Sequence, residues 1–167
     1  QTERGDNALL EPLGQGLWWV LPFIDQVIIY DAGQQSLTMA GGTESFSQTG
    51  NSVGGQEAVR AITEDGQTVY IDITVIYRLD PALINQIHRE WRGNEGGYIL
   101  GLITPKTRSE VRNTVSEYGA EEIYAGGRTA MEAQIFDRLT QDFSANGFLV
   151  TDLLIRDISF SPEFTQA

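Results

Sequence analysis

The 167-residue chain has no cysteine and only one histidine, which excludes disulfides, thiolate chemistry and a metal site built from several histidines. Its longest apolar run, Leu17 to Ile24, is far shorter than the roughly 20 residues that a membrane-spanning helix needs. Basic residues are also scarce, with 11 against 23 acidic ones and a net charge of -12. This charge repels phosphate backbones, so we expect no nucleic-acid partner, and it weakens unaided binding to anionic lipid.

The size and apolar content of the chain predict one domain. A chain of this length, 41% hydrophobic, can bury one sizeable core but not two. It begins at Gln1 without a methionine and stops within SPEFTQA, which favours a folded piece excised from a longer protein. We therefore expect residues 1–12 to be a flank of the fragment and the fragment itself to be soluble.

The clearest local signal is a strand from Gln67 to Leu79, in which apolar residues alternate with mostly polar ones. The pair Asp65-Gly66 precedes it and predicts a hairpin with the β-prone stretch EAVRAIT. Nearer the start, LWWVLPFI and QVIIYD predict two short strands or one bent strand, because Pro22 cannot donate to a central ladder.

Helical spacing follows the long strand. Asp80 and Pro81 predict the start of a first helix, which should end near the glycines of RGNEGG. A second helical segment is predicted from about Tyr98 to Tyr118, with Pro105 either kinking it or opening a new helix.

A third helix and a closing strand complete the pattern. The pair Thr129 and Glu132 predicts a capping box, and apolar residues then recur every four positions until Gly147. The closing stretch FLVTDLLIRDISF predicts a strand with a bulge near Arg156 and Asp157, where its apolar phase shifts. The Gly/Ser-rich segment 40–55 predicts a long loop between strands, more typical of a tolerated insertion than of a contact loop. The order is strands, helices, strand, which gives an α+β fold with a largely antiparallel sheet and about three helices.

Residues that could carry catalysis are few. His88 has no second histidine or cysteine to form a metal set and is more typical of a surface or partly buried histidine. Four acidic residues could suggest a carbohydrate site, which needs two opposed carboxylates: Glu64, Asp65, Asp72 and Asp80. The turn, the solvated strand face and the helix cap account for Asp65, Asp72 and Asp80 respectively, so catalysis is not supported and we expect no catalytic, cofactor-binding or metal-binding residues.

Three stretches carry a family resemblance: GLWWVLPF at 16–23, the Thr-x-Asp-Gly-x-x-Val hairpin at 63–69, and the closing strand with SPEFTQA. In this order and spacing they resemble the SPFH domain, also called the band 7 or prohibitin-homology domain, of stomatins, prohibitins and flotillins. The resemblance covers about residue 13 to the C-terminus and implies a single domain at 13–161. The ending looks most like prohibitins, in which it leads into a long coiled coil, so 162–167, with Glu163 and Phe164, would begin that coil.

The resemblance implies a scaffold rather than an enzyme, with no cofactor. SPFH proteins are anchored to a membrane by an N-terminal hydrophobic segment and assemble side by side into homo-oligomeric rings or cages. They often surround a membrane protease of the FtsH type or a partner of the NfeD type. The chain would then be membrane-associated through an anchor outside it, and direct binding of a protease is a narrower version of the same hypothesis.

The paired tryptophans are the candidate contact site. In the family the early strands lie near the membrane, so Leu17, Trp18, Trp19 and Phe23 are expected to meet lipid or a neighbouring subunit. Adjacent strand residues face opposite sides, so only one tryptophan easily joins the core and the other needs a different cover. The alternative from the residues alone is a monomeric ligand- or carbohydrate-binding domain that uses the acidic residues and tryptophans.

Overall fold

The computed structural model describes residues 16, 17, 19, 30–41, 57–91 and 95–160. Within these ranges the chain is α+β, as predicted, with an antiparallel sheet of four strands and the helices packed on one face. The predicted early strands fall almost entirely outside the described residues, as does the predicted loop from residue 42 onward.

The elements follow one another in the predicted order of strands, helices and strand. The strands are β1 (Gln35–Met39), β2 (Val59–Ile62), β3 (Thr68–Leu79) and β4 (Phe148–Phe160). The helices are α1 (Ile84–Trp91), α2 (Glu95–Tyr98), α3 (Thr104–Val115), α4 (Ala120–Glu122) and α5 (Arg128–Ser144). A 3₁₀ turn (Pro81–Leu83) precedes α1, and π-helical turns at Ile99–Ile103 and Ile123–Gly127 precede α3 and α5.

Strand β3 is the centre of the sheet and confirms the predicted alternation. Its odd-numbered residues from Val69 to Leu79 are at most 1% exposed, whereas the even-numbered ones face away from the helices. The buried side joins a core to which α1, α3, α5 and β4 also contribute. Burying this many aliphatic and aromatic side chains supplies the main stabilising free energy of the domain.

β1 and β2 share one edge of β3. β4 pairs with β3 from residue 69 to residue 79, so it occupies the whole of one edge. β1 pairs with residues 73–77 and β2 with residues 68–71, and both are antiparallel. Since a strand has two edges, β1 and β2 must lie end to end along the other. The segment between β1 and β2 is therefore an interruption in one edge of the sheet. Strand β1 itself was not predicted from the sequence.

The two ends of that interruption lie side by side. A Cβ placed on Gly41 would stand 3.5 Å from the Cβ of Ala58. The N–H of Gly41 donates to Oδ1 of Asp72 at 2.9 Å, so the strand-face carboxylate fixes the point where the chain leaves the sheet. The interruption therefore starts and ends at nearly the same place.

The hairpin and the first helix are confirmed. Gly66 has φ +82°, which glycine adopts without steric cost, in the turn between β2 and β3. Asp80 caps the turn that leads into α1, accepting a hydrogen bond from the N–H of Ala82 at 2.9 Å. Pro81 stands in the first turn, where its missing N–H has no cost, and α1 ends at Trp91.

Pro105 opens α3 instead of breaking a long helix. It lies in the first turn of α3, directly after the π-helical turn Ile99–Ile103. Gly101 in this turn packs against the ring of Trp91, because a Cβ there would come within 2.9 Å of the indole carbons. The wide turn thus accommodates both the proline and the indole.

The predicted capping box is wrong. α5 begins at Arg128, so Thr129 is already inside the helix, and the residue before the helix, Gly127, makes no side-chain cap. Gly127 has helical angles because the chain arrives from a π-helical turn that is kinked at Gly126, with φ +124°. A side-chain cap requires an extended residue at that point. The apolar repeat itself is confirmed: Met131, Ile135, Leu139 and Phe143 are fully buried.

The bulge predicted in the closing strand is present. Asp72 pairs with Asp157 and Ile73 with Ile155, so Arg156 is the extra residue. A second irregularity, which the sequence pattern did not predict, lies between Val150 and Asp152.

Candidate functional site

The candidate contact residues that the structure describes are strongly exposed. Leu17 is 97% exposed and Trp19 is 99% exposed, the two highest values among the large apolar side chains described. Trp18, Phe23, Glu163 and Phe164 lie outside the described residues. An indole and a leucyl side chain left in water gain none of the free energy that burial of apolar surface provides.

The acidic residues that could form a catalytic site are spread out. Asp65 lies at the hairpin tip, Asp72 near the middle of β3 and Asp80 just after its end. At a strand rise near 3.4 Å per residue, Asp72 and Asp80 are roughly 27 Å apart along the chain. Among the described residues no group of three His, Cys, Asp or Glu side chains is arranged to hold a metal ion.

Asp65 joins the hairpin to the helical layer. Its carboxylate accepts hydrogen bonds from the hydroxyl of Thr63 and from the N–H of Ala120, the latter at 3.2 and 3.3 Å. Next to it, the N–H of Glu64 donates to the carbonyl oxygen of Tyr118 at 2.9 Å. The Thr63 hydroxyl, and secondarily the Ala120 N–H, hold the pKa of Asp65 below its usual value, against desolvation, which raises it. Asp65 is thus more than a turn residue.

A second polar cluster ties α3 to α5. Arg138 of α5 forms an ion pair with Glu117 at 2.7 Å, and Gln134 also donates to Glu117. Arg138 first, and then Gln134, lowers the pKa of Glu117. Glu117 is exposed, Gln134 and Arg138 are half-buried, and the cluster holds the turn after α3 against α5, which is a structural role.

His88 contacts the chain that leads out of the N-terminal segment. Its Nδ1 lies 2.8 Å from the hydroxyl of Tyr30, and the two rings meet edge to face. His88 is partly buried, which is one of the two environments predicted for it from the sequence. Sequence spacing gave no signal for this contact, because the two residues are 58 positions apart.

Among the helices in the described ranges, none combines the length and apolar character needed to cross a bilayer.

Comparison with known proteins identifies the domain. A search of curated proteins finds no significant match. A family profile described as SPFH domain / Band 7 family matches residues 2–167, nearly the whole chain. Proteins of this family are generally membrane-associated, non-enzymatic scaffolds. The chain belongs to the SPFH domain / Band 7 family.

Proposed function

We propose that this domain belongs to a membrane-associated scaffold of the prohibitin and stomatin group, whose copies assemble into homo-oligomeric rings or cages that organise a patch of membrane. The observation that carries the proposal is the nearly complete exposure of Leu17 and Trp19 in a chain matched to the family along its length. Tryptophan is favoured at lipid interfaces because its ring is amphipathic.

In this proposal the domain is one part of a longer membrane protein. A hydrophobic anchor would precede it, and Glu163 and Phe164 would lead into a coiled coil that joins the copies. The net charge of -12 supports this division, because an acidic domain binds anionic lipid weakly and needs an anchor elsewhere. Restraint of an FtsH-type protease, or contact with an NfeD-type protein, is the further role that we propose for the assembly.

The carbohydrate-binding alternative finds no support in the site geometry. It requires carboxylates that converge beside exposed aromatic rings. Asp65, Asp72 and Asp80 instead each accept a hydrogen bond from the chain's own backbone, at three separate places in the fold.

The test is the mass and particle shape of the full-length protein, extracted gently from its membrane, beside light scattering on residues 1–167. We expect large closed rings or cages for the long protein. The fragment should remain a monomer or weak dimer, because it lacks the avidity that the coil provides. A monomeric full-length protein would overturn the proposal, whereas a tight, large oligomer of the fragment alone would contradict the role given to the coil.

A further inference from the structure

Two arginines without an acidic partner lie at the β2 margin of the domain. Arg60 on β2 and Arg112 on α3 are both exposed, and Nε of Arg112 donates to the carbonyl oxygen of Arg60 at 3.1 Å. Neither guanidinium has a carboxylate within ion-pair distance in the part of the chain that the structure describes. Because the chain has a net charge of -12, carboxylates are abundant, so two adjacent uncompensated cations mark a place where an external acidic group fits.

The opposite margin of the sheet carries carboxylates without a cationic partner. Asp152 and Asp157 of β4 are exposed, and they pair in register with Ile76 and Asp72, on the sheet face away from the helices. Asp152 accepts a hydrogen bond from the N–H of the next residue, and Asp157 accepts one from a nearby serine hydroxyl. No ion pair to either carboxylate is found in the described ranges. Arg156 lies between them along the chain and the guanidinium of Arg128 contacts the bulge, so the two carboxylates are the acidic groups of a margin of mixed charge.

The main chain of β4 is poorly suited to pairing with another strand. In the described residues β4 pairs on one side only, with β3. Its two irregularities disturb the open edge, and the guanidinium of Arg128 donates to the carbonyl oxygens of Ile155 and Arg156 in the bulge. Bulges and edge charges are devices that prevent strand addition. A neighbour at this margin must therefore bind through side chains.

We propose that the partner at the β2 margin is a second copy of this chain, whose Asp152 and Asp157 contact Arg60 and Arg112 of the first. This inference rests on the proposed function and names the surfaces that join its subunits. A two-fold arrangement through the β2 margin would place the arginines of one copy against those of the other. Opposite margins meet in a head-to-tail arrangement, which repeats from copy to copy and gives a ring when the rotation between neighbouring copies closes.

Cysteine cross-linking tests the contact directly, because the chain has no cysteine of its own. Arg60 and Asp157 lie on opposite edge rows of the sheet, about 10 Å or more apart, too far for a disulfide within one copy. In the full-length protein without other cysteines, we expect the double variant Arg60→Cys/Asp157→Cys to give a ladder of cross-linked multimers on oxidation. Each single variant should give no ladder. A double variant that assembles but gives no ladder would contradict the proposed contact.

Charge reversal gives an independent readout. We expect Arg60→Glu/Arg112→Glu, or Asp152→Arg/Asp157→Arg, to raise the concentration for half-assembly at least about tenfold, and an equal mixture of the two variants to restore it. Asp137→Arg is a matched control that reverses an exposed charge on α5, outside these margins, and it should leave assembly unchanged. Circular dichroism verifies that each variant folds.

The outcomes separate this inference from the proposed function. A wild-type protein that forms rings while every charge variant assembles normally keeps the scaffold and overturns the contact. If the arginine reversal leaves assembly intact but reduces binding to phosphatidylserine vesicles, the β2 margin binds lipid and the inference is also overturned. Failure of the wild-type protein to assemble overturns the proposed function itself.

Discussion

The carboxylate of Asp65, at the tip of the β2–β3 hairpin, accepts a hydrogen bond from the N–H of Ala120, which lies 55 residues later at the start of α4. The first N–H groups of a helix have no partner within the helix. The residue that precedes α4 is Gly119, which has no side chain to cap the helix. The hairpin therefore supplies the cap from a distance and fixes the sheet to the helical layer.

Replacing Asp65 with Asn should lower the thermal unfolding temperature by a few degrees. The amide accepts hydrogen bonds less strongly than the carboxylate and has no charge to place at the helix start. Thermal unfolding followed by circular dichroism measures the change. Glu64→Gln is the matched control, because Glu64 is exposed and the structure gives its side chain no partner. Equal unfolding temperatures for the two variants would contradict the role given to Asp65.

The same tie predicts a pH dependence. The pKa of Asp65 in the folded domain lies below its ordinary value of 3.8, so its contribution to stability is complete above that pH. It is lost as the pH falls through the folded pKa. The stability difference between the wild type and Asp65→Asn should therefore be constant at neutral pH and shrink below pH 3.8, as measured by urea unfolding at several pH values.

Two glycines with the same backbone angle should respond differently to alanine. Gly66 and Gly147 both have φ +82°, but a Cβ on Gly66 meets nothing within 4 Å. On Gly147 it would approach Ile87 and Leu83 at 3.0 to 3.1 Å. We expect Gly66→Ala to cost about 1 kcal/mol from the backbone alone, and Gly147→Ala about 2 kcal/mol or more, because steric crowding is added. Urea unfolding of both variants provides the comparison, and equal losses would show that the crowding is relieved.

Removing the interruption between β1 and β2 should leave the fold intact. Because Gly41 and Ala58 are adjacent, a short glycine-rich link can replace residues 42–57 without moving either strand. A shorter connection also loses less entropy on closing. We expect an unfolding temperature equal to or slightly above that of the wild type. Loss of cooperative unfolding would mean that the removed residues contribute to the core.

The exposed apolar pair near the start should contribute to membrane contact but not to stability. Trp19→Ser and Leu17→Ser remove side chains that are almost wholly in water, so thermal unfolding should not change. With residues 1–167, each should weaken flotation with phosphatidylcholine vesicles. If these side chains instead meet a neighbouring subunit, each should weaken assembly of the full-length protein. Leu100→Ser is the control, since Leu100 is 57% exposed elsewhere on the domain. If Trp19→Ser and Leu100→Ser behave alike in both assays, the assignment of a contact site fails.

The features that local chemistry controls were predictable from the sequence. The strand β3, the turn at Gly66, the cap by Asp80 and the apolar repeat of α5 all depend on neighbours within a few positions. The bulge at Arg156 was also readable, because an extra residue shifts the apolar phase of a strand.

The features that were missed depend on distant residues. β1 has a weak strand pattern of its own and is held by pairing with residues 73–77. The capping box at Thr129 failed because a helical turn already precedes α5. The contacts of Asp65 with Ala120 and of Tyr30 with His88 join residues more than 50 positions apart. No spacing rule along the chain brings such pairs together.

The central position of β3 also determines when the domain can finish folding. One edge of β3 is covered early in synthesis, by β1 and β2. The other edge pairs with β4, the last strand to be synthesised: Val69 pairs with Phe160 and Leu79 with Phe148. Pairing over such long separations slows folding. The sheet therefore cannot be completed until residue 160 has left the ribosome.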